Sequence, residues 1–238
     1  MVPVSSAGMT TASPHRALRV RPWPVDPTTA HLVPYAARRL NVDTVRGVLA
    51  ELAEAGYQRA RTAALSPDEQ APFLAAGFEV DEHLHLLAHD LRAVTPPPRP
   101  SPLRRARRRD RDAVLGVDRA AFSPPWRLDA VGLREALVAT PSVRFRVAVV
   151  EGRVVGYAVA GRAGRRGYLQ RLAVHPDQAG QGLGRALAAD ALVWLAQRGT
   201  RRAVVNTQEG NATALALYEA LGFRPEPAGL DVLGAPLP

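Results

Sequence analysis

The apolar positions change period several times along the chain, and each change marks an element. From Val42 the period is helical: Val45, Val48, Leu49 and Leu52 share a face, and Gly56 ends the run. Arg59 to Leu65 reads as a strand. Ser66-Pro67-Asp68-Glu69 reads as a helix start, with Ser66 as cap, Pro67 in the first turn and acids behind it. That helix carries Phe73 and Leu74 and closes at Gly77; Phe78 to Leu91 then reads as one long strand or a strand pair, with Leu84 and Leu86 alternating. Upstream, Ala17 to Arg21 suits a short strand, but Pro22, Pro24, Pro27 and Pro34 interrupt the residues behind it.

Beyond Thr95-Pro-Pro-Pro-Arg-Pro-Ser-Pro102, a stiff, extended linker by composition, the pattern resumes. Val114, Leu115 and Val117 belong to a helix behind Asp110, and Leu128 to Val138 to a second; Phe122, Pro124, Pro125 and Trp126 mark the loop between them. Phe145 to Val150 and Val154 to Ala160 alternate as strands about a Glu151-Gly152 hairpin turn. Gly167 to Val174 sets Leu169, Arg171 and Ala173 against Tyr168, Gln170 and Val174, the alternation of a half-buried strand, which His175-Pro176-Asp177 stops. Leu183, Leu187, Ala191, Trp194 and Leu195 then share a helix face, a turn comes at Gly199, and Arg202 to Thr207 is a strand. A helix from Asn211 carries Leu215, Leu217, Tyr218 and Leu221 and ends at Gly222, before a final strand over Leu230 to Leu233. The expected fold is α/β, a mixed sheet flanked by helices over residues 103–238, with a smaller α/β part over 16–94, the linker at 95–102 between them, and disorder over 1–15.

Composition narrows the chemistry. The chain has no cysteine, which excludes disulfides, thiol catalysis and Cys-bound metals. No apolar run is long enough for a membrane span and no secretory signal is recognisable, so a cytoplasmic location is expected. The net charge is +9 with no lysine in the chain, a bias expected of a GC-rich genome; the field favours nucleic acid or an acidic, phosphate-bearing ligand and does not choose between them. In Leu103-Arg-Arg-Ala-Arg-Arg-Arg-Asp-Arg-Asp112 the acids and the apolar helix behind them favour an edge strand over a nucleic-acid patch. His83, His85 and His89 lack an acid or cysteine to complete a zinc set, and read as polar positions of an exposed strand face; no metal is expected.

Gly180, Gly182 and Gly184 leave backbone amides uncovered where a helix begins, an anion site in principle. A nucleotide-hydrolysing loop would need Lys-Ser or Lys-Thr where Arg185-Ala186 stands, and a dinucleotide loop would need a small residue where Leu187 stands.

Leu172-Ala-Val-His-Pro176, Ala179-Gly-Gln-Gly-Leu-Gly184 and Asn211-Ala-Thr-Ala-Leu-Ala-Leu-Tyr-Glu-Ala-Leu-Gly-Phe223 together resemble the GNAT superfamily of acetyl-CoA-dependent N-acetyltransferases. The resemblance implies that the strand ending at Val174 bulges and splays from its neighbour. The backbone groups of Leu172 and Val174 would then pair with the pantetheine arm, with Ala173 between them in the same cofactor site. It further implies that the amides of Gly180, Gln181, Gly182, Leu183 and Gly184 hold the pyrophosphate with Arg185 nearby, that Asn211 contacts the cofactor arm, and that Tyr218 protonates the leaving thiolate. An amine, in a small molecule or at a peptide N-terminus, would attack the thioester directly. The chain departs from the family where Ala179 replaces Gln or Arg and Tyr168 replaces a glutamate base. It departs from the protein N-terminal alanine acetyltransferases where Asn206 replaces an acid; Glu209 is the nearest acid in sequence. Homodimerisation is left open.

A degenerate repeat is also visible. Leu52-Ala-Glu-Ala-Gly56 parallels Leu195-Ala-Gln-Arg-Gly199, and Phe73-Leu-Ala-Ala-Gly-Phe78 parallels Tyr218-Glu-Ala-Leu-Gly-Phe223. Residues 42–91 thus resemble the C-terminal half of a GNAT unit without its glycine loop, and Phe73 stands where Tyr218 stands. The layout resembles the tandem-GNAT mycothiol synthases. The rival readings are an acyl-CoA-binding regulator with little turnover and an arginine-rich nucleic-acid binder.

Overall fold

The structure is a computed structural model that describes residues 18–23, 25–34, 40–98 and 101–238. The disorder expected over 1–15 lies outside the described residues. The chain forms two compact units, one taking the chain up to His83 together with Leu230–Pro238, the other Leu84–Gly229.

In the first unit β1 (Leu18–Trp23) pairs antiparallel with β2 (Asp26–Pro34), which runs parallel to β3 (Arg59–Thr62) through α1 (Val42–Glu54). Pro22, Pro27 and Pro34 do not interrupt this region as the number of prolines suggests, and Pro24 lies outside the described residues. Pro22 sits where the β1–β2 register shifts, Pro34 closes β2, and β1 is an edge strand, all places where a missing N–H breaks no ladder. The unit continues with α2 (Pro67–Leu74), at whose N-terminus the Ser66 N–H and hydroxyl both donate to the Glu69 carboxylate at 2.9 and 2.8 Å, and the start of β4 (Glu79–His89). Its sheet receives β11 (Leu230–Pro236) antiparallel to β3. Leu32, Val45, Val48, Phe73 and Leu233 form the core.

The second unit holds β5 (Leu103–Arg105), α3 (Arg111–Ala121), α4 (Ala130–Ala136), β6 (Ser142–Val150), β7 (Arg153–Ala163) and β8 (Arg166–Val174). It continues with α5 (Leu183–Gln197), β9 (Arg202–Gln208), α6 (Ala212–Ala220) and the short β10 (Arg224–Pro225). Its strands run in the order β4-β9-β8-β7-β6-β5, with β10 also on β4; β8 and β9 are parallel and the remaining pairs antiparallel. Alternation along β7 gives the sheet two apolar faces. Ala158 and Ala160 meet α5 and α6 through Leu187, Leu195 and Tyr218, while Tyr157 and Val159 meet α3 and α4 through Val114, Val117 and Leu133. Glu151 and Gly152, at φ 49° and 77°, make the two-residue β6–β7 turn. The arginine run enters β5 at the sheet edge, where Arg104 grips Asp110 through two hydrogen bonds of 2.7 and 2.9 Å. Among the described residues no helix is long and apolar enough to cross a membrane.

The division falls inside β4 and at Gly229/Leu230 rather than at the proline-rich segment. Residues Leu84 to His89 pair with β9, and Gly234 to Pro236 pair with β3, so strand ladders set the boundary where linker composition does not. His83 is exposed, as expected, and hydrogen-bonds Asp231 at 2.7 Å. His89 is not on an exposed face: it is 4% exposed, edge-on to Phe223, with its Nδ1 accepting from the Leu91 N–H at 2.8 Å. No cluster suited to a metal occurs among the described residues.

Candidate active site

β8 is where the sheet opens. It pairs with β9 only over Arg166–Tyr168, although β8 continues to Val174 and β9 to Gln208. On its other side Val159 faces Arg171 while Ala160 faces Leu169, so Gln170 is an extra residue. Such a bulge bends a strand and increases its twist, which carries Leu172 to Val174 away from β9. A cavity of about 540 Å³ occupies the opening, within the range of small-molecule sites.

The loop after β8 closes one end. Gly180 and Gly182 stand at φ 75° and 74°, the left-handed region in which other L-residues are strained by roughly 1–2 kcal/mol. α5 begins directly behind Gly182 without a side-chain cap or an acid in its first turn. Its first intrahelical bond here runs from the Ala186 N–H to the Gly182 carbonyl at 2.9 Å, which leaves the amides of Leu183, Gly184 and Arg185 open. Those amides, the positive end of a long helix and the exposed Arg185 side chain favour an anion.

The cavity brings together Leu172, Ala173, Val174, Gly180, Gly182, Leu183, Gly184, Arg185, Asn211 and Tyr218. Gln181 is exposed and outside the lining, so among the loop positions it is the one left out. The Asn211 Oδ1 accepts from the Ala214 N–H at 3.1 Å, so Asn211 caps α6 and keeps its NH2 group to donate. Tyr218 is 6% exposed, and burial pushes its phenol up to about 12 against a smaller opposing pull from Arg171. It therefore keeps its proton at neutral pH and can donate it. Neither Tyr168 nor Glu209 reaches the lining; Asn206 does.

The opposite wall holds a group that the pattern of the sequence did not single out. Arg171 lies over the Phe122 ring at 3.6 Å and donates from Nε to Asp118 at 2.8 Å and from Nη2 to the Trp126 carbonyl at 2.6 Å. Asp118 is fully buried and also accepts from the Tyr157 hydroxyl and the Leu128 N–H. Three residues thus hold one carboxylate, and the loop carrying Phe122 and Trp126 becomes a fixed wall. The alternation expected of Leu169, Arg171 and Ala173 does not survive the bulge: Leu169 packs with Ala158 and Ala160 on one face of the sheet, whereas Arg171 stands opposite Val159 and Ala173 packs with Tyr157 and Val159 on the other. The available signal was only an arginine in an otherwise apolar strand, because a buried cation requires a buried partner.

The Acetyltransferase (GNAT) family pattern matches residues 111–223. An acetyltransferase of Pectobacterium atrosepticum is 31% identical over 118 residues, covering 49% of this chain and 83% of that protein. A mycothiol acetyltransferase of Thermobispora bispora is 29% identical over 222 residues, covering 84% of this chain and 74% of that one. Among solved structures, a tandem GNAT protein from the clavulanic acid biosynthesis pathway shares the fold at a TM-score of 0.66 and 17% identity, over 93% of this chain and 78% of the other.

Proposed function

Since the chain belongs to the GNAT acetyltransferase family and is an acetyl-CoA-dependent acyltransferase, we propose that it moves the acetyl group onto an amine, in a small molecule or at a peptide N-terminus. The observation that carries this reading is the unpaired stretch of β8 beyond Tyr168, set between the bulge at Gln170 and the glycine turn. An extended, amide-bearing arm fits such an edge as an added strand would. Leu172 and Val174 supply the backbone groups for it, because successive residues of a strand point their N–H and C=O to opposite edges and Ala173, opposite Tyr157, turns its own toward β7. The turn from Gly180 to Gly184 and the first amides of α5 suit the pyrophosphate, with Arg185 adding charge, and the Asn211 NH2 group, not used in capping α6, would donate to the arm.

On this reading the C–N bond forms as the C–S bond breaks. A β8 backbone amide donates to the oxygen of the reacting carbonyl, where negative charge builds. The Tyr218 hydroxyl gives its proton to the departing sulfur, and the surplus proton on nitrogen leaves to water. The test is release of free thiol from acetyl-CoA across a panel of amines and N-terminal peptides. Thiol release dependent on an acceptor supports the reading, and none with any acceptor refutes it.

The first unit is, on the same reading, a degenerate GNAT-like half without catalytic parts. Two observations favour this. The helix ends repeat: the Tyr57 N–H bonds the Leu52 carbonyl as Thr200 bonds Leu195, and Phe78 bonds Phe73 as Phe223 bonds Tyr218, with Gly56, Gly77, Gly199 and Gly222 all at positive φ. The strand pair equivalent to β8–β9 is closed: β2 pairs with β3 along all of Arg59 to Thr62. Phe73, buried where Tyr218 stands, has no proton to give.

A further inference from the structure

The cavity walls carry two charged side chains, Arg171 and Arg185, and no carboxylate or imidazole. The residues outside the described ones contain no Asp or Glu, so no acid of this chain remains to be added to the site from there. Nearby acids and bases are otherwise engaged or set apart. Asp118 is fully buried under the donors of Tyr157, Arg171 and Leu128. Glu209 is exposed in the β9–α6 turn, outside the lining. His175 is turned to Asp177 ahead of the glycine loop, and His85, opposite Thr207 on β4, is also outside the lining. The two phenols, Tyr218 and Tyr157, are both held above their ordinary values, chiefly by burial, and neither accepts a proton at neutral pH.

We propose that this enzyme supplies no general base and selects acceptors that reach the cavity as free bases: primary amines of low basicity, such as the α-amino group of an aminoacyl or peptidyl unit, in preference to alkylamines of the lysine side-chain type. The inference rests on the acetyl-to-amine reading above. An alkylammonium ion entering here would give up its hydration beside a fixed guanidinium and find no carboxylate to pair with. It must lose its proton to water first. At about pH 7.5 roughly a third of α-amino groups are neutral, against about one in a thousand lysine side chains. The difference in available acceptor is on the order of a hundredfold. After attack the second nitrogen proton also goes to water, and Tyr218, having protonated the sulfur, is reprotonated from water.

The experiment uses the full chain, acetyl-CoA and one peptide in two forms, with either its α-amine or its single lysine side chain free. Ethylamine and its mono- and difluorinated analogues accompany it, because fluorination lowers basicity with little change in size. The expected result is that kcat/KM follows pH with an inflection that moves with each acceptor's own pKa. At about pH 7.5, kcat/KM should rise by about threefold per unit of lowered basicity, since weaker nucleophilicity offsets part of the gain in free base. Glu209→Gln and His85→Gln should leave the profile unchanged. An inflection shared by all acceptors, equal rates for both forms of the peptide, or a hundredfold loss in either variant overturns the proposal while leaving amine acetylation intact. Absence of thiol release with every acceptor overturns amine acetylation itself, and this inference with it.

Discussion

Tyr218 owes its proton to where it sits. Its ring packs edge-on to Phe223, and burial raises its phenol to about 12. Tyr218→Phe should lower kcat by about a hundredfold or more with acetyl-CoA affinity kept; stopped-flow turnover and calorimetry check both, and unchanged turnover removes Tyr218 from the reaction. The same burial couples the residue to stability. The folded chain holds this proton more tightly than the unfolded chain, so stability is full below about pH 10 and is lost as pH rises toward about 12, by about 2–3 kcal/mol. Urea titrations across that range should show the loss in the parent and a smaller one in Tyr218→Phe. Arg171 answers to a different force. Arg171→Met removes one partner of a fully buried carboxylate, and the expected cost is about 3 kcal/mol in the same titrations.

A strand, a loop and a helix start make the cavity together. The bulge at Gln170 turns β8 away from β9, and the glycine turn delivers α5 with its first amides open toward the gap. Neither works without the other, since a straight β8 would close on β9 and a side-chain cap would occupy the amides. Gly182→Ala asks an alanine to hold φ 74°, at a cost of about 1–2 kcal/mol. The turn should relax to release part of that strain, so acetyl-CoA affinity should fall about tenfold while the melting temperature drops by no more than a few degrees. Titration calorimetry beside a thermal melt separates this from general destabilisation.

At the scale of the whole chain, each unit uses a strand from the other half of the sequence. β4, from the first half, lies beside β9, while β11, from the end of the chain, lies beside β3. Cutting the chain within the proline-rich segment leaves each piece without a strand that its own sheet needs. Each piece alone should lack a cooperative thermal transition, and mixing the two should restore one. Full, cooperative stability of either piece alone would refute the exchange as a requirement for folding.

The sequence alone determined the elements, the family and many of the positions that line the cavity. Those signals are local: a glycine turn, a helix period and a cap lie within a few residues of one another. It located Tyr218 and Asn211 through a motif, and the repeat through paired glycines that all prove to take positive φ. Only the tertiary structure decided the rest, because the rest depends on residues far apart in the chain. The clasp of Asp118, Tyr157 and Arg171 brings together α3, β7 and β8, and nothing in any one segment shows that a carboxylate on a helix is already committed. The buried His89 and the exchange of β4 and β11 arise in the same way, from strand pairing that crosses a segment whose composition reads as a linker. The basicity of the acceptor depends on that last level too: a cavity without an acid becomes visible only once every wall is in place.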